Sequence, residues 1–312
     1  MAIEPITSGI SYMRVHKDKK AGDFMRIGFV GAGKVGFTLG KYMAEHDVHV
    51  SGYYSRSESN ARQATEFTNS HLFTSMEELV EASDAIFLTV SDGAIADVWE
   101  EIRHFSIKGK CICHCSGAMS TAVFSGINQT GASGYSIHPL FAIDDKLQSY
   151  RNISQAYFTI EGNQEHLEYW KTLFEGFGNP VKLISEDNKV LYHSAAVCAS
   201  NLVVGLYEMA TELLQECGFE QEEAAQAISP LFINNARNIC NKGTVEALTG
   251  PLERADAGTI SRHIQAMNEE QKDVYKALSR ELIKVASRKN PDRDYSEIHQ
   301  LLDKDMKSEN IK

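Results

Sequence analysis

Short apolar runs alternate with amphipathic stretches from Phe24 to Ser185. Phe24 to Val30, Val48 to Tyr54, Asp84 to Val90 and Lys110 to Cys115 read as strands. Tyr135 to His138, Ala156 to Ile160 and Val181 to Ile184 complete the set. Helical spacing fills the gaps at Lys34 to Glu45, Glu58 to Phe67, Met76 to Ala82, Ile95 to Phe105 and Glu165 to Phe177. Alternation of this kind needs crossover helices, so it predicts a doubly wound parallel sheet.

The texture changes near Ser185. From Glu186 onward the strand signals stop, and three long helical stretches follow: Asp187 to Cys217, Gln221 to Cys240 and Thr259 to Lys289. Gly218, Gly243 and Pro291 end them, and Pro230 and Pro251 are expected to break or kink their segments. The tail beyond Pro291 has room for one more short helix. The reading is therefore an aperiodic, flexible leader over 1–24, an α/β domain over 25–185 and an all-α domain over 186–312.

Composition narrows the function classes. The chain has 312 residues, 43% hydrophobic and 23% charged, the balance of a globular protein rather than a disordered or fibrous one. Its 31 basic and 42 acidic residues give a formal charge of −11, which argues against a nucleic-acid partner. No uninterrupted apolar run reaches the roughly 20 residues of a membrane span, and the N-terminus lacks the apolar segment of an export signal. Six cysteines without a CxxC pair fit reduced thiols in a cytoplasmic protein.

One motif changes the picture. Gly31-Ala32-Gly33-Lys34-Val35-Gly36 is GxGxxG, placed after a predicted strand and opening a predicted helix. Gly31 permits the tight turn, Gly33 lets backbone N–H groups approach a pyrophosphate, and Gly36 lets helix and strand pack closely. The α/β half is then a Rossmann sheet that binds a dinucleotide. The second strand ends in Tyr54-Ser55-Arg56-Ser57, with no carboxylate at its tip to accept from a ribose 2′-hydroxyl. An arginine between two hydroxyls suits a 2′-phosphate, so the expected cofactor is NADP(H). Glu58, just beyond, is the residue that works against this expectation. Val90 and Ser91 end a further strand and join the cofactor-binding set, while Asp92 reads as a helix cap.

Candidate chemistry lies elsewhere in the chain. Cys111-Ile112-Cys113-His114-Cys115 has strand alternation rather than metal-ligand spacing, so no metal is expected. Ser116 and Gly117 follow that strand at the mouth of the ligand crevice, and Ser120 reads as a cap. His138-Pro139 ends the next strand, where an imidazole reaches a bound ligand or is satisfied within its turn. Lys189, His193, Val197 and Asn201 recur every fourth residue on one apolar helix. His193 is the candidate proton donor and Asn201 the candidate for holding the substrate, the alternative for both being a helix–helix hydrogen bond. No YxxxK pair, Walker A loop, GxSxG elbow or HExxH motif occurs.

These residues carry a resemblance. His114-Cys115-Ser116-Gly117, His138-Pro139-Leu140, the Tyr192 to Asn201 helix, and Leu248-Thr249-Gly250-Pro251 with Arg254, Asp256, Thr259 and His263 stand out over about residues 25–285. The N-terminal half resembles the Rossmann domain of NADP oxidoreductases of the pyrroline-5-carboxylate reductase and deazaflavin-linked type. The second half resembles a helical domain of unknown function, similar to the C-terminal domain of 6-phosphogluconate dehydrogenases. In those dehydrogenases a GxxxKxxxN helix supplies a lysine; here Val197 occupies the lysine frame and only Asn201 corresponds. The histidine-proline turn is also similar to that of prephenate dehydrogenases. The resemblance implies a homodimer joined through the helical domains, with Arg254 and Asp256 either pairing locally or completing a neighbour's cleft.

Together these readings imply an NADP(H)-dependent oxidoreductase acting on a small carbonyl, imine or hydroxy compound. His193, Asn201, Ser116 and His138 form its catalytic set. Two alternatives stay open. A non-catalytic NADP-binding redox sensor would keep the glycine loop and Arg56. A prephenate-like dehydrogenase would need cations for a dicarboxylate, for which Lys189 and Arg254 are the candidates.

Overall fold

The computed structural model describes residues 25–303; the expected leader lies outside the described residues. The chain divides into two compact units, one ending at Val197 and one beginning at Cys198. The division falls later than the change of texture near residue 186, near the end of the helix Lys189–Ala199, whose Lys189 is buried in the first unit.

The first unit holds β1 (Ile27–Val30), β2 (Val50–Tyr54), β3 (His71–Leu72), β4 (Ala85–Leu88), β5 (Cys111–His114), β6 (Ser133–Leu140), β7 (Tyr157–Gly162) and β8 (Val181–Leu183). They form one sheet in the order β3-β2-β1-β4-β5-β6-β7-β8. The first six strands are parallel and reproduce the doubly wound Rossmann order. The expected all-parallel sheet needs one correction: β7 runs antiparallel to β6, with Tyr157 opposite Leu140. Residues 141–156 contain only short 3-10 turns, so no crossover helix carries the chain to the other edge, and it returns from the edge it left. The two-residue β3 gave no apolar run to detect.

Helices α1 (Lys34–Glu45), α2 (Glu58–Thr68), α3 (Met76–Ala82), α4 (Asp92–Ile102), α5 (Ile127–Thr130), α6 (Leu167–Gly176) and α7 (Lys189–Ala199) complete this unit. Two apolar layers flank the sheet. One packs Phe29, Phe87, Cys111, Cys113, Tyr135 and Trp170 together. The other gathers Val30, Ile86, Leu88, Trp99, Ile112 and Phe124. Cys111 and Cys113 therefore face one side and Ile112 the other, as strand alternation demands. Burial pushes the Cys111 thiol up to about 12, the state of a packed thiol.

The second unit is helical: α8 (Asn201–Glu216), α9 (Gln221–Ala247), α10 (Ala257–Ala266), α11 (Glu269–Lys289) and α12 (Ser296–Asp303). Three expectations change here. The stretch Asp187 to Cys217 is not one helix, since Ser200 leaves helical geometry at φ −128° and ψ −79°. Pro230 lies inside α9 without ending it; the irregular residue is Gly243, at φ +78°. Thr259 to Lys289 splits at Asn268, whose side chain and Gln271 form a reciprocal capping box that starts α11. The short helix expected in the tail is α12. Its Ile298 and Leu302 join Leu252, Ile260, Ile283 and Tyr295 in a third apolar cluster.

The remaining surface of this unit is unusually apolar. Only Thr211 of α8 and Ala224 of α9 are buried, while Leu202, Val204, Leu206, Leu231, Ile233 and Ile239 are exposed. By length and composition, the helical stretch Glu186–Glu216 is long and apolar enough to cross a membrane, a feature that the search for uninterrupted runs passed over.

Candidate functional site

The C-terminal ends of β1, β2, β4, β5 and β6 share one edge of the sheet, where open α/β folds place their ligands. The glycine loop leaves β1 there. Gly31 has φ +105°, and a Cβ on it would lie 2.7 Å from the Thr89 carbonyl oxygen. A Cβ on Gly36 would meet the Gly31 carbonyl oxygen and Thr89 Oγ1, both at 2.7 Å. Thr89 Oγ1 donates to the Gly31 carbonyl at 2.8 Å, tying the loop to β4. Over Gly33 the space is open, the nearest atom being 3.9 Å from a Cβ built there. Gly33 is also the cap of α1 and offers no side-chain acceptor, so the first-turn N–H groups are left for another acceptor. Open space and unpaired donors fit a pyrophosphate. In the same loop Ala32 is buried, Val35 packs on the first apolar layer and Lys34 is exposed.

At the end of β2, Ser57 Oγ accepts from Asn60 N–H and starts α2, while Ser55 Oγ accepts from Ser57 N–H. Ser55 Oγ keeps its own proton to donate, while Ser57 Oγ also lies 3.1 Å from Ser59 Oγ. Arg56 is exposed and, among the described residues, enters no ion pair. Glu58 is held by Arg62 at 2.6 Å one helical turn on, so its charge is countered rather than directed at Arg56. At the end of β4, Val90 packs on the second apolar layer and Ser91 precedes α4 without making a side-chain cap.

The polar cluster lies past β5 and β6. Lys189, on the first turn of α7, is 1% exposed. Its ammonium donates to the Ser116 carbonyl at 3.0 Å and to Ser136 Oγ at 2.7 Å. Burial, the largest effect, lowers its pKa to about 8, with Glu161 opposing. It keeps the Ser116–Gly117 turn fixed against β6. Ser116 Oγ donates to Asp92 Oδ2 at 2.7 Å and accepts from Met119 N–H at 3.1 Å. Asp92 therefore anchors the turn rather than capping α4. Ser116 N–H donates to His114 Nδ1 at 3.2 Å, and burial lowers the His114 pKa to about 4. Ser120 Oγ accepts from Ala122 N–H, the expected cap.

Two imidazoles meet over this turn. A Cβ built on Gly117 would lie 2.7 Å from His193 Nδ1 and 2.9 Å from His138 Nε2. The other nitrogen of His138, Nδ1, is 2.7 Å from the Tyr192 hydroxyl. His193 Nδ1 is buried and has no hydrogen-bond partner. Burial, reinforced by Lys189, His193 and His114, lowers the His138 pKa to about 3, so this ring stays neutral.

Of the four expected catalytic residues, the first unit brings together Ser116, His138 and His193. Ser116 supports the turn through hydrogen bonds. Asn201 opens α8 in the second unit, beyond the break at Ser200, so the fourth-residue stripe does not run on to it; its side chain accepts from Ser200 Oγ at 3.1 Å. Asp256 caps α10, accepting from Thr259 N–H at 3.0 Å, rather than pairing with Arg254 as its main contact. Sequence reading missed Tyr192 and Lys189 as members of the cluster. The available signal was a lysine and a tyrosine entering an apolar helix beside His193. Among the described residues, no group of three or more His, Cys, Asp or Glu side chains is arranged to hold a metal ion.

Comparison with known proteins divides the chain earlier than its two compact units do. Residues 16–139 match the model of a Rossmann-like domain, and residues 156–282 match a domain of unknown function, DUF2520. The chain thus carries a Rossmann-like domain followed by a DUF2520 region. No curated protein sequence matches it. Among solved structures, protein TM1727 from Thermotoga maritima is 26% identical, with 84% of this chain and 98% of that chain covered and a TM-score of 0.67. A Bacteroides fragilis protein assigned as an NADP oxidoreductase is 22% identical, with the same coverage and a TM-score of 0.66. The pyrroline carboxylate reductase of Plasmodium falciparum, solved with NADP bound, is 15% identical over 84% of this chain and 98% of that chain, with a TM-score of 0.55. At these identities the last two share the fold.

Proposed function

We propose that the protein is an NADP(H)-dependent oxidoreductase acting on a small carbonyl, imine or hydroxy compound. The observation that carries the reading is the pair His138 and His193 over Gly117, on the same sheet edge as an open glycine loop. The backbone N–H groups at Gly33 to Gly36 would hold the pyrophosphate, and Ser55, Arg56 and Ser57 the 2′-phosphate, with Val90 and Ser91 bordering them. The cofactor supplies a hydride; the chain positions the acceptor and handles the proton. The Bacteroides and Plasmodium neighbours, described as NADP proteins, support the same reading. A redox sensor needs no paired imidazoles, and a dicarboxylate site needs a free cation, which Lys189 is not.

Titrations should show NADPH binding much more tightly than NADH. Arg56→Ala should erase most of that difference, on the order of 1–3 kcal/mol for charge-assisted hydrogen bonds to a phosphate. Equal affinities in the wild type would overturn the assignment.

The reading extends to assembly. The exposed apolar sides of α8 and α9 are more than two helices keep in water, and a second copy of the chain, meeting them across a two-fold axis, covers both at once. Light scattering should give twice 34.7 kDa. A concentration-independent monomer would exclude the dimer.

A further inference from the structure

We infer that Tyr192 locks His138 in the tautomer that carries its proton on Nε2, so that a neutral imidazole N–H is presented over Gly117 to an oxygen atom of the substrate. The inference rests on the cleft being an oxidoreductase site, and it names the proton donor and the acceptor atom there.

Three observations carry it. First, the Tyr192 hydroxyl lies 2.7 Å from His138 Nδ1. A phenol is a better donor than a neutral imidazole N–H, and an imidazole nitrogen is a better acceptor than a phenol oxygen. Tyr192 therefore donates and Nδ1 accepts, which leaves the ring proton on Nε2. Second, Nε2 and the unpartnered Nδ1 of His193 both pack against Gly117, where a Cβ would lie 2.9 Å and 2.7 Å from them. The absence of a side chain lets both rings close on one side of the turn, and a substrate oxygen bound on that side would accept from Nε2. Third, among the described residues no carboxylate is recorded against either nitrogen. Asp92 accepts from Ser116 and Glu161 from Thr121, at 2.7 Å and 2.9 Å. The groups that act on His138 through their charge are Lys189, His193 and His114, and all disfavour a cation at this ring. The same field disfavours a cationic nitrogen in the substrate and stabilises an oxygen that gains negative charge.

The proton path closes. A bound dihydronicotinamide would supply hydride to a substrate carbonyl carbon, whose oxygen then needs a proton. That oxygen takes the Nε2 proton while Nδ1 takes the Tyr192 proton, so the imidazole is neutral before and after. The resulting phenolate recovers its proton from water. Tyr192 acts through His138 and is a positioning residue as well as the proton reservoir.

The test is long-range proton–nitrogen NMR on the full-length chain labelled with ¹⁵N-histidine, with His138→Gln identifying the signals. In the wild type, His138 is expected to show a bare Nδ1 and a protonated Nε2 at pH 7, unchanged at pH 5. In Tyr192→Phe the single-tautomer pattern is expected to be lost, with protonation shared between the two nitrogens. A proton on Nδ1 in the wild type, an imidazolium at pH 6, or a folded Tyr192→Phe protein with an unchanged pattern would overturn the inference. If the phenylalanine variant does not fold, the wild-type pattern alone decides. An NADPH titration of the same samples separates the two claims. Bound NADPH with the wrong tautomer removes the relay and keeps the oxidoreductase reading; the right tautomer without NADPH binding does the reverse.

Discussion

Replacing Gly117 by alanine is expected to lower turnover by about 100-fold or more while leaving NADPH affinity nearly unchanged, because misplacing reacting groups by about 1 Å costs that much. The added methyl would sit 2.7 Å from His193 Nδ1 and 2.9 Å from His138 Nε2, closer than carbon and nitrogen tolerate. His138 does not yield cheaply, because it is held by Tyr192 and its strand packs between β5 and β7. Gly117 has no left-handed backbone to preserve, so the change acts on the site rather than on chain conformation. Gly93→Ala is the control: that glycine lies in α4 with no atom within 4 Å of the added methyl. Helix propensity makes it neutral or stabilising by up to about 1 kcal/mol. Steady-state kinetics on a carbonyl panel, NADPH titration and thermal melting of both variants decide the matter. Near-normal turnover in Gly117→Ala would remove the two histidines from the reaction.

The alternation of strands and helices was legible because it has a local cause. Each buried parallel strand is a short apolar run, and each crossover helix shows its own period, so α1 and α3 match their expected bounds residue for residue. The glycine loop was legible for a related reason, since close approach to Thr89 leaves room for no other residue at Gly31 or Gly36. The direction of β7 was not, because strand polarity depends on what the connection does in space. The breaks at Ser200 and Asn268 were also hidden. At Asn268 a capping box interrupts an otherwise continuous apolar period, and its asparagine and glutamine pass for ordinary surface residues. Nothing in the structure explains the break at Ser200.

Lys189 shows most clearly what a sequence withholds. Spaced four residues before His193, it reads as one member of a helical stripe and as a cation available to a dicarboxylate. The fold instead buries it on the Ser116 carbonyl and Ser136 Oγ, groups distant in the chain. A buried ammonium is costly unless its hydrogen bonds are made, and here they join α7 to both β6 and the Ser116–Gly117 turn. Burial first, and this charge second, hold His138 neutral. The histidines themselves were legible as candidates, but their neutrality belongs to the packed structure.

That neutrality predicts how the protein responds to acid. Stability is expected to fall as the pH drops from about 6.5 towards 4, starting well before the carboxylates titrate. Burial puts His114 at about 4 and His138 at about 3, against about 6.5 for an unfolded histidine. Between these values the unfolded chain binds protons that the native chain refuses, so each step down in pH favours unfolding. At pH 5 the fully buried His114 accounts for about 2 kcal/mol, and the partly exposed His138 for somewhat less. Their sum is a large share of the 5–15 kcal/mol typical of a whole domain. The carboxylates held low, Asp84 chiefly by its hydrogen bond from Arg26, add to the loss only below about pH 5, where the acids of the unfolded chain begin to take up protons. Lys189, near 8, remains charged throughout. Urea midpoints measured from pH 7.5 to 5 should decline, and His114→Asn should flatten the decline even though the variant starts less stable. A wild-type midpoint that holds constant from pH 7 to 5 would show that both rings accept protons in place, and the neutral donor assigned to His138 would fall with it.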